Sequence, residues 1–142
     1  MTYQGQADAL SWGAQVSCTV RLGRNHHGYS LGDGVEATTW VARRLHETTS
    51  LSFRMRALNW GNVDGRDSGL PGVAPALIPT ADPSRRGGSR VDALFGVNFL
   101  IKEGLFKGHR LAIEGGLPVY QYLEGPQLET DWTLTVGWQF SW

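Results

Sequence analysis

Residues 128–142 read L-E-T-D-W-T-L-T-V-G-W-Q-F-S-W. Leu128, Thr130, Trp132, Leu134, Val136, Trp138, Phe140 and Trp142 occupy the even positions. Glu129, Asp131, Thr133, Thr135, Gly137, Gln139 and Ser141 occupy the odd ones. Successive side chains of an extended chain point to opposite faces, so this two-residue period predicts a β-strand with one apolar and one polar side. The run is also longer than the common strand of about 5–6 residues.

The same period recurs upstream. Over residues 10–22, Leu10, Trp12, Ala14, Val16, Cys18, Val20 and Leu22 face one way and Ser11, Gly13, Gln15, Ser17, Thr19 and Arg21 the other. Further strands are predicted over 35–45, 51–60, 90–100 and 110–121. In the first of these, Arg43 interrupts the apolar side near the strand end, where a long side chain can carry its charge out to water. In the last, Leu111, Ile113, Leu117 and Val119 are expected opposite Arg110, Glu114 and Tyr120, and Pro118 lacks a ladder donor and predicts a bulge or a strand end. Glycine-rich residues 23–34 read as a loop, 46–50 as a short turn and 61–88 as a long irregular stretch. No helix is predicted. The fold class expected is all-β, an antiparallel up-and-down meander of about six long strands in one domain.

Thirteen basic and 13 acidic residues cancel, which gives no field for nucleic acid. No run approaches the roughly 18 apolar residues of a membrane helix. Barrel strands, however, place their lipid-facing groups at every second residue, which leaves no such run. Eleven residues at about 3.3 Å each, tilted about 40°, rise roughly 28 Å, close to the apolar band of about 25 Å in an outer membrane. Long connections also alternate with short ones. The expectation is therefore a segment of a transmembrane β-barrel, open or incomplete as it stands, since closure takes about eight strands.

On that reading the greasy side meets lipid and the polar side lines a water-filled lumen. The candidate lumen-lining residues are Arg21, Glu36, Arg44, Arg54, Arg56, Arg90, Asp92, Arg110, Glu114 and Asp131, an arginine-rich ladder with carboxylate partners of the kind that sets pore selectivity. The rival reading is a soluble, lipocalin-like barrel with Trp12, Phe53, Phe95 and Trp132 turned inward around an apolar ligand. A third is a surface protein with no transport role.

No catalytic, metal or cofactor pattern emerges. Adjacent His26 and His27 would point apart on an extended chain, and Asp64, Asp67 and Asp82 do not match calcium-loop spacing. Cys18 has no internal disulfide partner and reads as a small hydrophobe. Residues 1–9 carry neither a basic nor an apolar leader region, so an outer-membrane protein is expected to come from a longer precursor with a signal peptide.

Two stretches carry a resemblance. The pattern Thr135-x-Gly137-x-x-Phe140-x-Trp142 resembles the C-terminal signal read by the bacterial barrel-assembly machinery, with Trp in place of the commoner Phe. G-Y-S-L-G-D-G (28–34), N-W-G-N-V-D-G (59–65), P-T-A-D-P (79–83) and the run from Gly108 to Trp132 resemble the C-terminal half of Gram-negative outer-membrane proteins of the phenol meta-pathway degradation, or transporter, type. The resemblance implies a barrel of about twelve strands, a bacterial outer-membrane location and passage of a small, aromatic or hydrophobic solute. It also implies membrane lipid, the assembly machinery, and either the remaining strands or a second copy as partners.

Overall fold

The computed structural model describes residues 1–67, 69 and 78–140. Its strands are β1 (Thr2–Ala7), β2 (Leu10–Thr19), β3 (Tyr29–Ser30), β4 (Gly34–His46), β5 (Thr49–Trp60), β6 (Asp64–Gly65), β7 (Gly88–Leu100), β8 (His109–Leu123) and β9 (Thr133–Phe140). Two single 3-10 turns, Pro79–Ala81 and Pro83–Arg85, lie before β7. Among the described residues, seven strands form one antiparallel meander in the order β1-β2-β4-β5-β7-β8-β9, and β3 pairs separately with β6. The sheet is open: β1 and β9 are its edges.

Connections sort to two ends. At the turn end, Asp8 and Ala9 link β1 to β2, residues 47–48 link β4 to β5, and 101–108 link β7 to β8. At the loop end lie 20–33, 124–132 and the described residues between β5 and β7 (61–67, 69 and 78–87). The loops are fastened to one another. β3 pairs with β6, Arg24 with Asp64, and Asn62 binds Glu124 and the backbone N–H groups of Arg86 and Gly87.

Three boundaries differ from the expectation, each for a physical reason. The meander has seven strands because Thr2–Ala7 pairs with β2 through the turn at Asp8, whose φ of 49° is left-handed. Its outward residues, Tyr3, Gly5 and Ala7, carry too little apolar signal to show a period. β2 stops at Thr19, and Arg21 leaves the ladder to bond Asp33 and the Gly32 carbonyl. The closing strand begins at Thr133 because 124–132 bond to side chains and loop carbonyls. Thr130 N–H donates to Gln121, and Gln127 donates to the Arg85 and Gly87 carbonyls. Residues 141–142, with the terminal Trp142 of the assembly pattern, lie outside the described residues.

The bulge expected near Pro118 is present. Val91 pairs with Tyr120 and Asp92 with Pro118, so Val119 has no partner. That extra residue reverses the phase. Leu111, Ile113 and Leu117 share a face with Tyr120 and Tyr122, which corrects the expected placing of Tyr120 on the polar side.

Cross-strand pairs join like with like. One face carries rows such as Trp12–Val41–Phe53–Phe95 and Ile113–Val136. The other carries Thr38–Arg56–Asp92 and Gly13–Trp40–Arg54–Leu94. Burial is the reverse of a water-soluble sheet. Phe95 is 67% exposed, Val136 62% and Trp138 69%, whereas Asp92 is fully buried. Leu94, at 3%, is the buried hydrophobic among the described residues, and it lies on the polar side.

Candidate functional site

The polar face is built from layers. Toward the turn end, Ser11, Ala42, Ser52 and Gly96 form a row of small residues across four strands, leading to Glu114 and Thr135. With Gln6 of β1, Arg44, Asn98, Arg110 and Gln139 of β9, part of this row lines a recess of about 660 Å³. Residues of both edge strands share that recess, so the sheet curls toward its polar side.

The next layers are charged. Arg54 Nε lies 3.0 Å from Glu114 Oε2, reaching over β7 to do so, and its guanidinium sits 5.8 Å from the Trp40 ring centre. Above this, the Asp92 carboxylate is shared. Its Oδ2 accepts from Arg56 Nη2 at 2.8 Å and Nε at 3.1 Å, and its Oδ1 lies 3.0 Å from Arg90 Nε. Arg90 also donates to Thr130. A buried carboxylate is tolerated because Arg56 supplies two hydrogen bonds to Oδ2 and Arg90 sets a second positive charge against Oδ1, although Oδ1 itself accepts no hydrogen bond.

Two aromatic side chains are seated in this face by glycine. A Cβ at Gly13 would fall inside the Trp40 indole, its cross-strand partner, and one at Gly88 would meet the Trp60 indole opposite it. Glycine in a strand marks such a close approach. Trp60 Nε1 donates to the Arg86 carbonyl at 2.9 Å.

Of the ten expected lumen residues, Arg54, Arg56, Arg90, Asp92 and Glu114 form this cluster. Glu36, Arg44 and Arg110 share its face: Glu36 opposes Leu58, Arg44 opposes Ser50, and Arg110 donates to Asn98 at 2.8 Å. Arg21 and Asp131 are not in strands; both sit in loop-end connections. Thr135 and Gly137 face the polar side on β9, and Phe140 faces the apolar side opposite His109. Trp40, Thr38 and Leu94 were missed as parts of the site. Their even numbers, in phase with Glu36 and Asp92 on the same strands, were the one signal available.

The loops gather other polar groups without forming a metal site among the described residues. His26 and His27 occupy a turn, so their rings lie 3.9 Å apart instead of pointing apart, and His27 Nδ1 is 3.3 Å from Asp67. Asp82 accepts from the hydroxyl and N–H of Ser84, which holds its carboxyl below the usual range. At the turn end, Lys102 hydrogen-bonds Glu47 at 2.8 Å and lowers that carboxyl too.

No helix among the described residues is long and apolar enough to cross a membrane, which leaves strand-borne crossing untouched. No protein-family model, curated protein or solved structure matches the chain.

Proposed function

We propose that this chain is part of a bacterial outer-membrane β-barrel that passes small solutes along its polar face. The observation that carries this reading is the inverted burial: a mainly apolar face open to its surroundings, interrupted at its turn-end margin by Arg43, and an opposite face whose central carboxylate, Asp92, is fully buried. In water, such an exposed apolar surface would far exceed the few hundred Å² usual for a monomer. In lipid it is the stable arrangement.

The height of the apolar face supports the same reading. Trp138 is paired with Leu111 near the turn end, and Tyr120 stands near the loop end of the same strand, β8. From Leu111 to Tyr120 is eight ladder steps once the bulged Val119 is discounted, which at about 3.3 Å each and a tilt of about 40° separates the two aromatic levels by roughly 20 Å. Aromatic girdles flank the hydrocarbon at about this spacing in outer-membrane barrels. The loop end then faces the cell exterior and the turn end the periplasm. The solute would meet first the Arg56–Asp92–Arg90 layer, then Arg54–Glu114, then the recess. The resemblance described above directs the search for that solute to small aromatic compounds.

The test is lipid quenching. After Cys18→Ser, single cysteines at positions 134, 135 and 136 carry a fluorophore in vesicles containing brominated lipid. Quenching is expected at 134 and 136 and not at 135. The reverse pattern, or an unlabelled chain that is monodisperse in water without detergent, would return the soluble ligand-binding barrel to first place.

A further inference from the structure

The directions of the two edge strands limit what can close this sheet. Every neighbouring pair in the meander is antiparallel. Its strand count, seven, is odd. β1 runs from the loop end to Asp8 at the turn end, and β9 runs from residue 133 at the loop end to Phe140 at the turn end. Both edges therefore point the same way. Joined directly, they would make a parallel seam.

Resting on the membrane-barrel reading, we infer that the partner completing this sheet is a β-segment with an odd number of strands, inserted in the same orientation. One strand gives the eight of the smallest bacterial barrels, and five give twelve; bacterial single-chain barrels have even counts. A second copy with its loops on the same side of the membrane brings β9 against its neighbour's β1, and both seams are then parallel. A copy turned upside down restores antiparallel seams, but only by putting its long loops on the opposite side. Directional insertion does not give that arrangement.

The side chains at the edges describe the partner further. On the polar side β1 presents Thr2, Gln4 and Gln6, and β9 presents Thr133, Thr135 and Gln139, all uncharged. The ion pairs lie on β5, β7 and β8. The flanking strands of the partner therefore meet uncharged hydroxyl and amide groups on their lumen side and a mainly apolar edge on the other.

Two fusions test the parity. Placing a second copy of residues 109–132 ahead of residue 1 adds one strand running from turn end to loop end, followed by its native loop. Placing residues 88–132 there adds two strands. Both fusions and the 142-residue chain are refolded into lipid vesicles. Closure is read as a heat-dependent shift on an SDS gel together with protease resistance, and insertion as co-flotation with the vesicles. The expected result is flotation of all three chains and a heat-shifted, resistant band in the one-strand fusion that is lost in the two-strand fusion. If all three float, closure of the two-strand fusion, of the chain alone, or of neither fusion overturns the parity inference alone. Failure of all three to float overturns the membrane reading, and this inference with it.

Discussion

Asp92 holds the centre of the polar face. It has no access to solvent, and each of its oxygens faces an arginine. Asp92→Ala strands two half-buried guanidiniums at once. The expected loss is about 3–5 kcal/mol in denaturant unfolding from micelles, the range for removing one partner of a buried ion pair. Asp92→Asn keeps the shape and loses the charge, and should fall between wild type and Asp92→Ala. Glu47 behaves differently because it is fully open to water. Lys102 lowers its carboxyl, so the pair favours the folded chain above the ordinary carboxylate range and ceases to as pH falls through the depressed value. An NMR titration should show the Glu47 curve moving up toward the ordinary value in Lys102→Met. An unmoved curve would mean that the Lys102 contact does not persist in solution.

The strands show where sequence and structure part. β4, β5 and β7 match their predicted spans within two residues at each end because their period of two is broken only locally, as at Arg43. β1 was illegible: Gly5 packs beneath Trp12, and a glycine adds nothing to an apolar period. Tyr120 was misplaced because a bulge moves the phase by one residue, and Pro118 signals that a bulge is near without fixing which residue is extra. The faces of Arg54, Arg56, Asp92 and Glu114 were legible. Their pairing was not, because it depends on which strands are neighbours. Gly13 was read only as a member of the polar face, yet it is a seat for Trp40. Gly13→Ala should cost about 1–3 kcal/mol by overpacking, measured by denaturant unfolding. Combining it with Trp40→Ala should recover part of that loss, since the indole is what the new methyl group strikes.

Taken whole, the molecule has its hydrophobic groups on the outside, and calorimetry can read that. Water-soluble domains melt with a heat-capacity step of about 12–15 cal/mol/K per residue, mostly from hydrocarbon newly wetted. Here Leu94 alone among the described residues is a buried hydrophobe. Melting in a micelle that keeps the outer face covered should therefore show a far smaller step. A full-sized step would mean that the apolar face is packed against protein. A chain with so little to wet has a nearly straight free-energy curve against temperature. On the proposed membrane reading, cooling would do little to loosen it, and its cold limit would be set by the freezing of the surrounding lipid chains.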